Sequence, residues 1–436
     1  MNQHLTALNS TFTKWLGVDY DLDAIYLTLA AAAIAQHDGD PLWVLVVAGS
    51  GAGKTESTVT PLAGCEGVHE VSTISSEGAL LSGTVAKDRA EDATGGLLRQ
   101  VGENGIVLIK DFTSILSLAS SVRPQILGAL RECYDGSWSR QVGGDGGQEL
   151  KWVGRLTVIG AVTTSWDQHQ AVVSAMGDRF VLLRLRVDEL QVGTQAIANT
   201  GLEKMMRAEL HKAAESVLEA ATDPGVELNP AERDSLLQAA NITTWARTGV
   251  IVAGGKVVDA HAREAPTRFA KQLFQVLRGS VAIGVERHQA LRLALRVAED
   301  SIPPLRLELL RYFAANGFDA DHPRGSDVAS ISRVLDRVHN TVDVALKALH
   351  MLRMIALVPE SSPWRYRLAP GVDVDALNPG RVFQEMYGEG GVSFGEGMET
   401  PTSSECVQLT STETGSESLE DRWLLDAPEG LFSHCV

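Results

Sequence analysis

WVLVVAGSGAGKT, residues 43–55, is an uninterrupted apolar run followed by a glycine-rich segment that ends in Lys54 and Thr55. Five consecutive apolar residues, three of them valine, predict a buried β-strand that leads directly into a turn. Glycines let successive backbone N–H groups curl around an anion, and a helix starting near Gly53 adds its positive N-terminal end. The stretch therefore predicts a strand–loop–helix unit that binds phosphate.

The loop has the spacing of a Walker A motif in which Ala48 stands in place of the first glycine. In such a loop Lys54 reaches the β and γ phosphates of ATP, and the Thr55 hydroxyl binds magnesium. We therefore expect ATP and Mg²⁺ as cofactors. The predicted nucleotide-binding residues are Gly49, Ser50, Gly51, Ala52, Gly53, Lys54 and Thr55.

A second predicted strand, residues 106–109, is followed by Lys110 and Asp111. A carboxylate at the end of a strand beside the phosphate loop can hold magnesium or polarise the attacking water, although it can also simply cap the next segment. Two adjacent acids usually divide these roles, and here Lys110 occupies the place of one. Either Asp111 serves both as metal ligand and as catalytic residue, or Glu56 or Glu77 supplies the second acid.

Further apolar runs alternate with helical stretches, which predicts an α/β fold with a largely parallel sheet. From about residue 201 the pattern is helical throughout and predicts an α-helical lid. The predicted domains are N-terminal leader helices at 1–40, the ATPase core at 41–200, the lid at 201–300, a winged helix-turn-helix at 303–370 and a disordered acidic tail at 385–436.

The net charge of −17, from 38 Lys and Arg against 55 Asp and Glu, argues at first against a nucleic-acid partner. However, residues 385–436 contain eleven acidic residues and one basic residue, so this tail carries −10 and the rest of the chain only −7. The tail is rich in Gly, Ser and Thr, a composition typical of disorder. Most of the acidity therefore lies outside the predicted folded part.

No apolar run is long enough to span a bilayer, and the N-terminus lacks the features of a signal peptide. We expect a cytoplasmic protein with no membrane association. The four cysteines are far apart and show neither zinc spacing nor a disulfide pattern, so we expect ordinary thiols; they are Cys65, Cys133, Cys406 and Cys435.

The order of these motifs resembles that of the AAA+ ATPases, in particular the branch with an insertion in the second helix, to which the minichromosome maintenance helicases belong. The segments 75–83, 93–98 and 105–112 are similar to the run that leads those helicases into a strand ending in Asp-Glu-Phe. On that register Lys110 replaces the magnesium-binding Asp, and Asp111 stands where the catalytic Glu would be. The resemblance covers roughly residues 43–278, and only about forty residues precede the loop, where those helicases carry a DNA-binding domain.

The resemblance also implies roles for three further residues. Thr163, at the end of the strand 158–162, takes the position of a polar sensor that places the water. Arg179, in the sequence MGDRF, corresponds to an arginine that reaches the γ-phosphate of the neighbouring subunit, and Arg268 corresponds to a second sensor arginine.

The family assembles as rings, so we expect a homo-oligomeric ring, a hexamer. The hairpin 136–156 resembles one that projects into the ring pore, where Arg140 and Lys151 would face DNA.

Residues 327–368 predict a helix, a turn, a second helix and two strands, the order found in a winged helix. Such a unit binds DNA or a protein partner. The candidate DNA-binding residues lie on the second helix, just before it and in the wing; they are Arg337, Asn340, Thr341, Lys347, Arg365 and Arg367.

These motifs are compatible with three functions. The first is an ATP hydrolase acting on DNA, a helicase or helicase-loading motor of a phage or mobile element. The second is a nucleotide-regulated winged-helix transcriptional regulator with little turnover. The third is a protein-remodelling ATPase whose winged helix binds a protein.

Overall fold

In a computed structural model of the protein, the predicted apolar run becomes β1, a fully buried strand. The structure describes residues 2–83, 94–143, 147–169, 179–223, 225–378, 380 and 382. The strands are β1 (Trp43–Val47), β2 (Val68–Val71), β3 (Asn104–Ile109), β4 (Ser137–Val142), β5 (Gln148–Val153), β6 (Arg155–Val162), β7 (Phe180–Arg184), β8 (Val250–Ala253), β9 (Lys256–Ala260), β10 (Ser326–Asp327), β11 (Ile355–Leu357) and β12 (Arg365–Leu368).

Helices surround these strands. In chain order they are α1 (Gln3–Leu16), α2 (Leu22–Ala33), α3 (Lys54–Thr58), α4 (Glu77–Leu80), α5 (Leu97–Val101), α6 (Thr113–Leu116), α7 (Arg123–Tyr134), α8 (Glu189–Ala198), α9 (Glu203–Glu219), α10 (Pro230–Ala246), α11 (Thr267–Ala282), α12 (Arg287–Asp300), α13 (Pro304–Ala315), α14 (Val328–Val334) and α15 (His339–Met351), followed by a 3₁₀ turn (Val374–Leu377).

Five strands form one parallel sheet in the order β2-β3-β6-β1-β7. The predicted α/β fold with a parallel sheet is confirmed. Because all five strands point the same way, the carboxyl ends of β1, β3 and β6 meet at one edge. Apolar clusters cover both faces of the sheet, as expected for parallel strands.

The two N-terminal helices belong to the core on one face of the sheet. Helix α2 is rich in alanine and packs closely against α11: a Cβ atom at Gly279 would lie 2.5 Å from the Ala30 carbonyl oxygen. Helix α1 packs against α9 and is capped by Asn2, whose side chain accepts a hydrogen bond from the Leu5 N–H at 2.8 Å. The leader helices therefore hold both ends of the predicted lid region.

The region 201–300 is helical except for one hairpin that was not predicted from the sequence. Strands β8 and β9 pair antiparallel around Gly254 and Gly255. Both glycines have positive φ, and the flanking segments are rich in valine, the combination that favours a hairpin over a helix. The hairpin packs against α15.

The C-terminal region contains α13, β10, α14, α15, β11 and β12 in chain order. The three short strands form an antiparallel sheet in the order β10-β12-β11. Its apolar residues join the same core as the preceding helices, and the Trp245 indole donates a hydrogen bond to the Leu352 carbonyl at 2.6 Å.

Several sequence predictions lie wholly or partly outside the described residues. They include the acidic tail 385–436, residues 144–146 of the predicted hairpin tip 143–147, residue 93 of the segment 93–98 and residues 176–178 before Arg179. Within the described parts of the chain, no helix combines the length and apolar character needed to cross a bilayer.

Buried ion pairs join α2 and its N-cap residue Asp21 to α12. Asp23 pairs with Arg292 and Arg296, each at 2.7 Å, and Arg296 also pairs with Asp21. Burial acts to raise the pKa of Asp23, but the two guanidinium groups outweigh it and hold that pKa below its ordinary value. The ionised carboxylate therefore stabilises the folded chain.

We expect Asp23→Asn to lower the free energy of unfolding near neutral pH by about 3 kcal/mol, the lower end of the cost of breaking a buried ion pair, because Arg296 loses one carboxylate but keeps Asp21. Since the folded pKa is depressed, this stabilisation is complete above about pH 4 and is lost as the pH falls further. Urea unfolding near neutral pH and below pH 4 measures both effects. Asp321→Asn, at an exposed position, serves as control; equal stability of Asp23→Asn and wild type near neutral pH would contradict the prediction.

Candidate functional site

A cavity of about 520 Å³ lies at the carboxyl ends of β1, β3 and β6. It brings together seven of the predicted site residues, from three separate parts of the chain, among them Lys54, Thr55, Asp111 and Thr163. Ser50, Gly51 and Gly53 of the glycine loop also line it, whereas Gly49 and Ala52 stand in the same loop without lining it. The parallel sheet is the reason, because it places strand ends and the loops after them side by side.

The glycine loop needs its glycines at two positions. Gly51 and Gly53 have φ of +81° and +77°, a backbone conformation that other residues adopt only with strain. At Gly53 there is also little space, because a Cβ atom would lie 3.2 Å from the ring of the buried Tyr20. The Tyr20 hydroxyl donates a hydrogen bond to the Gly53 carbonyl at 2.9 Å, so the leader segment supports the loop directly.

We expect Gly53→Ala to lower the free energy of unfolding by about 1–2 kcal/mol and to weaken ATP binding, because the strained residue would push the loop away from Tyr20. Gly317→Ala is the matched control, since Gly317 has φ of +64° and open space around its Cα. Urea unfolding and calorimetric titration with ATP separate the two effects. Loss of ATP affinity to the same degree in both variants would contradict a specific role for the loop.

In this structure Lys54 folds back on its own loop. Its ammonium group donates hydrogen bonds to the carbonyls of Ala48 at 3.0 Å and Gly49 at 2.5 Å. Burial lowers the pKa of Lys54, while the nearby Asp111 carboxylate acts in the opposite direction. A phosphate oxygen entering the loop would offer this ammonium a charged acceptor in place of two carbonyls.

Asp111 and Thr163 are linked through α6. Asp111 accepts a hydrogen bond from the Thr113 backbone N–H at 2.9 Å, and the Thr113 hydroxyl oxygen accepts one from the Thr163 N–H at 3.1 Å. The Thr163 hydroxyl lies 2.7 Å from that of Ser165. The carboxylate and the hydroxyl therefore have fixed positions at the same edge of the cavity.

Lys110 lines the cavity and pairs with Glu70 on the neighbouring strand β2 at 2.9 Å. Of the two alternative acids, Glu56 lines the cavity and Glu77 does not. Among the described residues, no group of three or more His, Cys, Asp or Glu side chains is arranged as a metal site.

The walls of the cavity opposite the loop were not predicted from the sequence. These come from the end of α1 and the segment after it, and from α8 and α9; the lining residues there are Trp15, Leu16, Tyr20, Val192, Gln195, Ala196, Asn199, Glu203, Met206 and Arg207. No local pattern marks them, because they lie up to about 150 residues from the loop and meet it only through the packing of α9 on α1 and α2. The walls combine apolar, aromatic and amide side chains.

Arg179 and Arg268 do not line this cavity. Arg268 borders a second cavity of about 430 Å³ together with Tyr134, Asp135, Glu264 and Lys271. Arg268 pairs with Glu264 at 3.2 Å, and the nearly buried Arg179 pairs with Asp135 at 3.1 Å. Within one chain, the two predicted arginines are thus near each other and away from the glycine loop.

The hairpin β4–β5 forms as predicted, with Trp138 opposite Trp152. Lys151 is exposed, whereas the half-buried Arg140 lies beside Gly78 at the start of α4. Of the predicted pore-facing pair, only Lys151 is therefore open to solvent.

The six candidate DNA-binding residues lie in one region but differ in accessibility. Asn340 and Thr341 are exposed at the start of α15. Lys347 pairs with Asp343 at 2.6 Å, and Arg337 pairs with Glu308 at 3.3 Å. The remaining two arginines lie on β12, where both are half-buried and Arg367 donates a hydrogen bond to the His322 carbonyl at 2.9 Å; they are Arg365 and Arg367.

Comparison with protein-family models gives no match, and comparison with curated proteins gives no significant one.

Proposed function

We propose that the chain is an ATP- and magnesium-dependent P-loop ATPase of the AAA+ type. The observation that carries the proposal is the single cavity in which a glycine loop, Lys54, Thr55, Asp111 and Thr163 converge. A cationic side chain and backbone N–H groups suit phosphate, and a strand-end carboxylate beside them suits the activation of water. The wall formed by α1, α8 and α9 provides an apolar region for the base.

The residues present fit a magnesium ion. Mg²⁺ is commonly held by one or two carboxylates together with substrate phosphates and water, so a cage of three acidic side chains is not required. The Thr55 hydroxyl and the Asp111 carboxylate, which line the same cavity, would hold it. When bound, the ion would neutralise charge on the β and γ phosphates.

The chain's own residues divide the remaining tasks. Lys54 leaves its loop carbonyls to bind the phosphates, and Asp111 accepts a proton from the water that attacks the γ-phosphorus. Thr163, held by Thr113, orients that water through its hydroxyl. Asp111 thereby carries the acidic role that two residues usually share, because Lys110 occupies the place of the other acid.

In a ring of identical subunits, Arg179 and Arg268 would bind the triphosphate held by the neighbouring subunit. They lie near one cleft, each held by a carboxylate, and a neighbour's triphosphate entering there would compete with Asp135 and Glu264 for the guanidinium groups. The separation of this cleft from the glycine loop favours a site shared between chains. We therefore propose a homo-oligomeric ring, a hexamer.

The proposed partner is DNA, bound by a winged helix made of α13, α14, α15 and the strands β10–β12. Exposed Asn340 and Thr341 at the start of α15 would face the duplex. Residues 303–370 contain nine Lys and Arg against seven Asp and Glu, a weak positive balance, so useful affinity depends on several copies in a ring. We propose a helicase or helicase-loading motor of a phage or mobile element.

A second candidate is a nucleotide-regulated transcriptional regulator that hydrolyses ATP slowly. The Lys110–Glu70 pair favours it, because a lysine in place of an acid beside the phosphate site reduces the capacity for hydrolysis. In that case ATP would control assembly, and the C-terminal unit would read an operator.

Steady-state ATP hydrolysis with and without single- and double-stranded DNA distinguishes these functions. For the motor we expect hydrolysis that DNA stimulates and that both Lys54→Ala and Arg179→Ala abolish. Tight ATP binding with negligible turnover and a sequence-specific footprint would favour the regulator. Hydrolysis that is insensitive to any DNA would favour a protein-remodelling ATPase.

A further inference from the structure

Arg207 is a charged group of the cavity to which neither the motifs nor the proposed mechanism assigns a role. Among the described residues that line the cavity, the basic ones are Lys54, Lys110 and Arg207. Lys110 pairs with Glu70 at 2.9 Å, outside the cavity. Arg207 instead pairs with Glu56, which also lines the cavity, at 3.8 Å, longer than a hydrogen bond.

The backbone that carries Arg207 is held firmly. Its neighbour Met206 is buried, and Glu209, two residues further along α9, accepts a hydrogen bond from the Trp15 indole at 2.7 Å. His211 lies 3.2 Å from the Pro61 carbonyl, which ties α9 to the segment after α3. The Arg207 side chain itself is 56% exposed, so it can change partner without moving the helix.

The position of Glu56 indicates which part of a nucleotide Arg207 would meet. The Glu56 backbone N–H and the Tyr20 hydroxyl both donate to the Gly53 carbonyl, at 3.2 Å and 2.9 Å, so Glu56 lies on the leader side of the loop, whereas Asp111 follows β3 on the strand side. The γ-phosphate belongs near Asp111, where water is activated. Arg207 therefore lies towards the sugar end of the phosphate chain.

We propose that Arg207 is a further phosphate ligand of this site, which exchanges Glu56 for the phosphate next to the ribose when a nucleotide binds. The inference rests on the proposed nucleotide function. A guanidinium fork binds phosphate oxygens in a planar, two-bond geometry, and the weak contact to Glu56 costs little to break. Because this phosphate is common to ADP and ATP, Arg207 acts on binding of both and not on the chemical step.

Calorimetric titration with ATP, ADP and adenosine tests the proposal. We expect Arg207→Ala to weaken ATP and ADP binding about tenfold, the size of one charge-assisted hydrogen bond, and to leave adenosine binding unchanged. Arg207→Lys should recover part of the loss. Lys204→Ala removes an exposed positive charge from the same helix and should leave all three affinities at their wild-type values.

Glu56→Gln tests whether Arg207 binds phosphate or only holds α3 to α9 through its pair with Glu56. If Arg207 binds phosphate, removing its competitor lets ATP bind at least as tightly as in wild type. If the Glu56–Arg207 pair only holds α3 to α9, both substitutions weaken ATP binding alike, and the proposal is overturned. ADP binding by Arg207→Ala that equals binding by Lys204→Ala overturns it too.

A failure of the underlying function looks different. Wild-type protein would then bind neither ATP nor ADP, and Lys54→Ala would have no effect. If wild type binds ATP and Lys54→Ala weakens it while Arg207→Ala does not, only the role of Arg207 is wrong.

Discussion

Lys54→Ala is expected to lower the rate of ATP hydrolysis about a thousandfold. Lys54 is the cation at the end of the glycine loop. No other lysine is placed to neutralise the charge that would build up on the transferred phosphoryl group, because Lys110 is paired with Glu70. Removing a preorganised charge of this kind from a catalytic site costs a factor of about 10²–10³ in rate, and here ground-state binding is lost as well. Steady-state hydrolysis and ATP titration measure the two losses.

Lys204→Ala is the control for the change in charge, since Lys204 is exposed on α9 and does not line the cavity. It should hydrolyse ATP at the wild-type rate. Comparable hydrolysis by Lys54→Ala and wild type would contradict the assignment of the loop and, with it, the proposed function.

Asp111→Asn is expected to lower the single-turnover rate of hydrolysis by a factor of about 10²–10³ while ATP binding is retained. The amide cannot accept the proton of the attacking water, yet it can still accept the hydrogen bond from the Thr113 N–H that fixes this side chain. The variant should therefore bind ATP without turning it over.

Glu77→Gln is the matched control, because Glu77 is an alternative second acid in the sequence but does not line the cavity. We expect it to retain wild-type turnover. If Glu77→Gln were as inactive as Asp111→Asn, the second acid would come from α4, and the division of roles proposed for Asp111 would be wrong.

The sequence was sufficient for the elements whose structure depends on near neighbours. A continuous apolar run favours a buried strand, so β1 and the parallel sheet around it were predictable. The turn after β1 was predictable as well, because its positive φ angles require glycine. The convergence of Lys54, Asp111 and Thr163 was predictable for the same reason. Each follows the end of a strand, and parallel strands bring such ends to one edge.

The hairpin β8–β9 shows where local reasoning fell short even within one short segment. Helical stretches on both sides suggested a continuous helical region, and Gly254-Gly255 between valine-rich runs carried the opposite signal. Two strands of four and five residues gain little stability alone. Contacts with α15, almost a hundred residues later in the chain, supply tertiary packing that the two strands lack on their own.

The tertiary structure alone decided the partners of the charged residues. Glu70 reaches Lys110 because β2 and β3 pair with Val71 opposite Ile109, a register that no motif contains. Arg268 lies in the first turn of α11. Because α11 packs on α2, Arg268 does not reach the cavity at the glycine loop, whereas α9 packs on α1 and places Arg207 in that cavity. The sequence was enough to predict the glycine turn, because its form depends on local backbone geometry. Which side chains complete the site depends on helix packing, because burial of apolar surface selects one arrangement of distant elements and the charged groups follow.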